Sequence, residues 1–366
     1  MDICRVAGKF HDCYLHCANV EKVVCWKYIG ISTGVGMFEE KKDLEPVRWG
    51  IIGCGVVTEV KSGPAYQKVK GFELTSVMRR DIAAAKSYAE RHGVAHFTDN
   101  ADEIISSDQV DAVYIATPPD CHKYYALKVA QVGKPCCVEK PLAPSYADCV
   151  AINEAFAATN TPLFVAYYRR SLPRFNQVKR WLDDGTIGDV RQVCWNLNKP
   201  ANHFDVSGAM NWRTEAAIAS AGYFDDLACH GLDLFSYLLG DISEACGVAV
   251  NQQGLYSAND AVSASWLHKS GVTGSGSWNF GCYGREDRVE IFGSQGKLVF
   301  SVFDEKPLVL SNGEGTQELI IPHPENIQLH HVENMRQHLL GRSVHPSTGN
   351  SAAHTGWVMD QILAKG

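Results

Sequence analysis

Asp226, His230 and Asp233 stand at i, i+4 and i+7 of an apolar-rich stretch, so a helix through them places all three on one face. A histidine flanked by carboxylates can have its pKa raised and its tautomer fixed by a hydrogen bond. That is what a general acid–base group exchanging a hydroxyl proton requires. The residues also fit a plainer reading: Asp225 and Asp226 as acids suited to a helix's first turn, His230 as a satisfied core histidine. A second chemical group is Lys140 in Glu139-Lys140-Pro141, where a short apolar run ends. A lysine there can donate a hydrogen bond to a substrate oxygen, polarising a carbonyl or stabilising an alkoxide. Glu139 would anchor the backbone or the lysine. Asp226, His230 and nearby His203 are also conceivable zinc ligands, but no second Cys/His pair has the spacing of a structural site, and no metal is expected.

The elements that must position these groups begin at Trp49–Ile52, a short apolar strand running into Gly53-Cys54-Gly55. A bare Gly-x-Gly is weak, but between a buried strand and a helix it indicates a dinucleotide site. Gly53 permits the tight turn and Gly55 lets the backbone approach a pyrophosphate. Val56 and Val57 open the helix whose free amides favour an anion. Thr58 replaces the third small residue, so packing must absorb a larger side chain. A second strand, Leu74–Met78, ends at Arg79-Arg80-Asp81, where an acidic residue would hold the ribose hydroxyls of NAD. Two guanidinium groups there suit a 2′-phosphate and point to NADP(H) over NAD(H), with Asp81 left as a possible acidic partner.

Further strands are read at Val110–Thr117, ending at Pro118-Pro119, and at Cys136–Val138, ending at Glu139-Lys140. Helices are read between them, from Ile82 to Arg91 and from Lys123 to Gln131. Apolar strands alternating with helices indicate a parallel sheet covered on both faces. Ligands of such sheets bind outside the carboxyl ends of the strands. Gly53, Arg79, Thr117, Glu139 and Lys140 all fall on that edge.

Those motifs in that order resemble the Gfo/Idh/MocA family of nicotinamide-dependent oxidoreductases, to which glucose–fructose oxidoreductase, inositol dehydrogenase and dihydrodiol dehydrogenase belong. The resemblance runs from about Val47 to the C-terminus. It rests on Gly53-Cys54-Gly55, Ala116-Thr117-Pro118-Pro119 followed by His122, Glu139-Lys140-Pro141, Asp226–His230 and Asn259–Val262. It implies cofactor contacts from Thr117, Pro118, His122 and Glu139, and contact of Lys140 with substrate and nicotinamide ribose. It implies that Lys140, Asp226 and His230 complete the catalytic site, with Lys140–Pro141 often in cis. Tyr168 or Arg169, just past the strand Leu163–Ala166, would touch substrate; otherwise the aromatics are core and the arginines solvated. Ser220-Ala221-Gly222 departs from the usual glycine-rich run.

The expected architecture is an α/β Rossmann domain at 47–168, followed at 169–366 by an α+β substrate-binding domain with a large, mostly antiparallel sheet. That sheet is read from strands at 190–198, 244–251, 261–268, 271–280, 287–292 and 297–302. One face should pack on the Gly222–Leu239 helix, and the resemblance implies a homodimer or homotetramer through the other. Trp278, Phe280 and Tyr283 fit a buried sheet face. Trp195, Asn196, His203 and Trp212 are read as a loop-rich cover of the cleft. A last helix, Gln328–Leu340, carries His330, His331 and His338, read as a solvated face.

The 366 residues suffice for two cores, and a net charge of −7 argues against a nucleic-acid surface. No apolar run is long enough to span a membrane. Thirteen cysteines without a paired framework suggest reduced thiols in the cytoplasm. Residues 1–46 hold Cys4, Cys13, Cys17 and Cys25 and read as a poorly ordered extension. A zinc site from Cys13, His16, Cys17 and Cys25 is conceivable, and so is translation from Met37.

The function expected is an NAD(P)-dependent oxidoreductase acting on a sugar-like, polyol, or vicinal diol or carbonyl substrate. Relatives of the fold add two alternatives: a non-catalytic cofactor-sensing regulator and a nicotinamide-assisted glycosidase. Retention of Lys140, Asp226 and His230 argues against the sensor.

Overall fold

Strands β1 (Val47–Ile52), β2 (Phe72–Met78), β3 (His96–Thr98), β4 (Ala112–Ile115), β5 (Cys136–Val138) and β6 (Leu163–Val165) pair in parallel in the order β3-β2-β1-β4-β5-β6. This is the strand order of a doubly wound nucleotide fold, whose direction reverses between β1 and β4. The computed structural model describes residues 45–209 and 211–364, and the expectations for the leading extension lie outside them. Every residue of β4 is buried, as a strand covered on both faces requires. Local signals set the helices between strands. Asp81 Oδ1 accepts from the amides of Ala83 and Ala84 at the start of the Ile82–His92 helix, and Gly93, at φ +66°, ends it.

The second sheet comprises β7 (Val190–Asn198), β8 (Ile242–Val250), β9 (Ala261–His268), β10 (Thr273–Asn279), β11 (Glu286–Gly293), β12 (Gly296–Phe300), β13 (Leu308–Asn312) and β14 (Gly315–Leu319). Their order is β14-β13-β12-β11-β7-β10-β9-β8, and only the β7–β10 pair is parallel. The Tyr223–Leu239 helix lies against this sheet. Gly231 makes the approach possible, because a Cβ there would sit 2.3 Å from the Trp195 ring. Trp195 in turn meets Phe235 and Trp278 edge-on. Full burial of a ring such as Phe235 contributes about 1.5–3 kcal/mol. Trp195 and Asn196 are therefore strand residues, not a cleft cover; Trp195 is core because β7 runs through the middle of the sheet. Tyr283 is also corrected: it is fully exposed in the turn after β10, while Trp278 and Phe280 are buried.

The end of the chain returns to the first sheet. Val332 and Met335 of the Leu329–Leu339 helix join the cluster of Trp49, Ile51, Tyr66 and Tyr114. His331 is consequently buried rather than solvated, its ring meeting that of His345 at 4.6 Å. The Gly349–Ile362 helix packs on the Tyr146–Ala158 and Tyr223–Leu239 helices, so it touches elements flanking both sheets. Among the described residues no helix is long and apolar enough to cross a membrane, and all nine cysteines are free thiols.

Candidate active site

The glycine turn is held by backbone chemistry. The amides of Gly53 and Cys54 both donate to the carbonyl of Met78 at the end of β2. Gly53 has φ +95°, and a Cβ on it would lie 2.9 Å from backbone atoms of Ala116 and Thr117, so only glycine lets β1 and β4 end this close. At Gly55 a Cβ would meet only the Gly53 carbonyl, at 3.8 Å, which leaves open space beside the turn. Thr58 is fully buried and clamps the turn through its hydroxyl, which donates to Gly55 O. The close packing usually given by a third glycine is shifted to Gly63, where a Cβ would meet Thr58 O at 2.2 Å. Cys54 is buried, and burial pushes its thiol up to about 11, which makes it an inert side chain.

Beside the turn lies a cleft of about 380 Å³ lined by Gly53, Gly55, Arg79, Arg80, Thr117 and Pro118, among others. Arg79 and Arg80 are exposed along it, and Asp81 has one carboxylate oxygen committed to its helix cap. The buried hydroxyl of Thr117 has no hydrogen-bond partner. An open glycine turn, an orphaned hydroxyl and two arginines fit a phosphorylated dinucleotide. Val56 is exposed at the start of its helix, and Val57 half-buried. His122 is placed differently: its ring is buried, with Nδ1 2.9 Å from Pro141 O and Nε2 2.8 Å from Thr117 O, so it ties two strand-end loops together.

Lys140 follows β5, and its bond to Pro141 is cis. Glu139 anchors this turn from the buried side, accepting from Tyr114 Oη at 2.6 Å, Gln328 Nε2 at 2.7 Å and the Lys140 amide at 3.1 Å. Lys140 Nζ donates to Asp226 Oδ1 at 2.7 Å and to the Asp226 carbonyl at 2.8 Å. The other oxygen of Asp226 accepts from Arg213 Nε at 2.6 Å. Burial opposes ionisation of Asp226, but Lys140 and Arg213 overcome it and hold the carboxyl well below the usual range. Burial likewise opposes the Lys140 ammonium, and Asp226 beside it leaves the pKa above the ordinary lysine value.

His230 departs from its expected environment. The flanking carboxylates face elsewhere: Asp226 toward Lys140, and the fully buried Asp233 toward Arg170, with two contacts of 2.8 Å. The partner of His230 is Arg169, whose Nη1 lies 2.6 Å from Nδ1. Burial first, and then the Arg169 and Lys140 charges, push the His230 pKa well below the histidine range, the reverse of the predicted rise. Arginine can only donate, so His230 Nδ1 accepts and the ring proton resides on Nε2. Arg169 is itself buried, donating to Val302 O and packed over the Tyr168 and Phe303 rings at 5.0 and 4.5 Å. Neither Arg169 nor Arg170 is solvated. Tyr168 is buried with its ring 5.5 Å from that of His230.

A second cleft, about 480 Å³, opens on the other side of Asp226 and is lined by Lys199, Asn202, Asn211, Arg213, Tyr223 and Asp226, among others. Lys199 and Arg213 belong to no motif and escape sequence reasoning. The one local signal is at Arg213, two residues after Asn211, whose side chain accepts from the Arg213 amide. Among the described residues no three His, Cys, Asp or Glu side chains converge as metal ligands.

Comparison with known proteins covers both halves of the chain. Residues 47–167 match the family model described as "Oxidoreductase family, NAD-binding Rossmann fold", and residues 175–299 match the GFO/IDH/MocA C-terminal domain. Oxidoreductase P35 of Formosa agariphila is 35% identical over 315 residues, 86% of this chain and 97% of that protein. Inositol 2-dehydrogenase of Rhizobium meliloti is 26% identical over 277 residues, 74% of this chain and 80% of that protein. A solved levoglucosan dehydrogenase in complex with NADH and levoglucosan superposes with a TM-score of 0.77 at 22% identity, covering 87% of this chain and 96% of that one.

Proposed function

The chain belongs to the Gfo/Idh/MocA family of oxidoreductases with an NAD-binding Rossmann fold, and from that premise we propose that it transfers hydride between NADP(H) and a sugar-like, polyol, or vicinal diol or carbonyl substrate. The observation that carries this reading is the chain of contacts Lys140–Asp226–Arg213, built where β5 ends, two strands from the glycine turn. The nicotinamide, when bound, supplies or takes up the hydride. Thr117, Pro118 and the glycine turn would hold the dinucleotide, with Arg79 and Arg80 on its 2′-phosphate.

Lys140 enters as an ammonium, aligned by Asp226, and donates to the substrate oxygen. In carbonyl reduction it delivers the proton as the alcohol forms; in alcohol oxidation its neutral amine accepts the hydroxyl proton. His230 is a neutral donor through Nε2–H, which has no partner among the described residues, and it stabilises developing negative charge on the same oxygen. Arg169 acts through His230, fixing the tautomer, as a positioning residue. Relatives named for inositol and levoglucosan, both polyhydroxylated, support the substrate class. The open face of the second sheet, with Val248 and Val250 exposed, is assigned to a second copy of the chain, and free buried thiols fit the cytoplasm.

Titration of the purified protein with NADPH and NADH, following cofactor fluorescence, tests the cofactor assignment. The expectation is tighter binding of NADPH, with a loss of roughly 10- to 100-fold for NADPH alone in R79Q/R80Q. Equal binding of the two cofactors, or a variant that weakens both alike, would remove the arginines from the phosphate site.

A further inference from the structure

The substrate cleft carries polar side chains on a largely apolar lining, and its neutral polar groups are already committed to the loop that forms it. Asn202 accepts from the Phe204 amide at 3.0 Å and donates to Tyr223 Oη at 3.4 Å. Asn211 accepts from the Arg213 amide at 3.0 Å and donates to Asp205 Oδ1 at 3.3 Å. Tyr223 Oη donates to the same Asp205 oxygen at 3.0 Å. Beyond the unpartnered, buried Oδ2 of Asp205, hydrogen-bonding capacity remains as donors on two cations. Lys199 Nζ forms no hydrogen bond or ion pair among the described residues and has only the Tyr223 ring, at 5.9 Å. Arg213 gives Nε to Asp226 and stacks on Trp212 at 4.3 Å, but its two terminal nitrogens make no hydrogen bond among the described residues.

The charges do not balance. Lys140, Lys199 and Arg213 stand against the carboxylates of Asp226 and Asp205, and nearby Arg285 is paired with Asp304. Asp226 is shared between Lys140 and Arg213 and has nothing left for Lys199. Lys199 is half-buried; burial, Arg285 and Arg213 work against its ammonium, and Asp226 and Asp205 offset them only in part. An uncompensated cation in a concave, partly desolvated site is costly unless a ligand completes it. The backbone that carries Lys199 is pinned, since its amide donates to Asn279 O and its carbonyl accepts from the Cys282 amide.

We infer that Lys199, with the terminal nitrogens of Arg213, binds an anionic oxygen group on the substrate, so the substrate class is a sugar or polyol bearing a carboxylate, or a sulfate or phosphate ester. The inference rests on reading this cleft as the substrate site of the proposed reaction. Lys140 and Arg213 hold opposite oxygens of Asp226, so an anion on Lys199 and Arg213 is separated from Lys140 by that carboxylate, leaving a neutral hydroxyl or carbonyl carbon to react.

The test is calorimetric titration of the NADP(H)-loaded protein with D-glucose, D-glucuronate, D-glucose 6-sulfate and D-glucose 6-phosphate, and with the galactose series. At least one anionic sugar should bind roughly 10- to 100-fold more tightly than its neutral counterpart. That ratio should persist in K199R, fall toward one in K199Q, and shrink with added salt. Which of the three anionic probes responds identifies the source of the charge. Neutral sugars binding as tightly as anionic ones, no sugar of either class binding, or a preference surviving in K199Q would each overturn the inference. Following cofactor absorbance in the same samples separates it from the proposed function. A bound anionic sugar that never alters the cofactor would leave the anion site standing and sink the oxidoreductase reading. Turnover of neutral sugars without anionic preference would do the reverse.

Discussion

The two halves of the site are built by different means. On the cofactor side the defining features are backbone: a glycine at φ +95°, two amides sharing one carbonyl, and strand ends only glycine can bring together. On the substrate side they are buried and half-buried charges drawn from distant parts of the chain: Lys140 after β5, Arg169 after β6, Lys199 just after β7, Arg213 in the following loop and Asp226 on the Tyr223–Leu239 helix. Backbone geometry suits a ligand whose shape is constant. An array of charges can be retuned by single residues, which suits a scaffold that accommodates many substrates.

The largest effect should come from the group that joins the halves. Lys140→Met removes the donor to the substrate oxygen and is expected to lower kcat by about 10³-fold. Cofactor affinity should change far less, because the glycine turn and Arg79 are untouched. Steady-state kinetics beside fluorescence titration on the same preparation reads both. A variant that keeps kcat, or that loses cofactor binding and turnover in parallel, would erase the division between the halves.

That division also governs what could be read from the sequence. The cofactor half was legible because its signals are local: Trp49–Ile52 runs into Gly53, and Arg79 follows Met78 directly. The substrate half was legible at Lys140, where an apolar run ends, and where helical spacing sufficed. Asp226 and His230 do share a helix, but the spacing could not show that Arg169 and Arg170 would insert from the Tyr168–Ser171 turn. Among the helices that escaped, two did so for a clear physical reason. Tyr146–Ala158 has alanines scattered all round and no apolar stripe, and Gly349–Ile362 opens on Gly-Asn-Ser. β14, with the sequence Gly-Thr-Gln-Glu-Leu, is polar and mostly exposed at the sheet edge.

A smaller effect is expected on the backbone side. In Gly53→Ala the new Cβ meets Ala116 and Thr117 at 2.9 Å in a backbone conformation that L residues rarely adopt. The strain should cost about 1–3 kcal/mol of stability. Displacement of the turn should weaken cofactor binding roughly tenfold. Turnover at saturating cofactor should stay within a few-fold of the parent, since Lys140 and Asp226 lie on other elements. Denaturant melts with kinetics at two cofactor concentrations would show it, and a large drop in saturated kcat would mean that the turn also shapes the substrate half.

The mildest perturbation is pH, and it should act on the substrate half alone. Asp226 is held below the carboxylate range by Lys140 and Arg213, so it stays ionised throughout neutral pH. His230 stays neutral there, its pKa driven down by burial and Arg169. Only Lys140 is left to titrate among the three, and its pKa is raised. Alcohol oxidation needs its neutral amine, so the rate should climb with pH by about tenfold per unit while pH remains below that pKa. Carbonyl reduction uses the ammonium and should be flat over the same span, with no histidine inflection in either direction. The cofactor half has no protein group in this set, so cofactor affinity should hold steady from about pH 7 to 9, above the second ionisation of a 2′-phosphate near pH 6. An inflection near pH 6.5 in kcat would return His230 to the role of proton acceptor and require that its contact with Arg169 break when substrate binds.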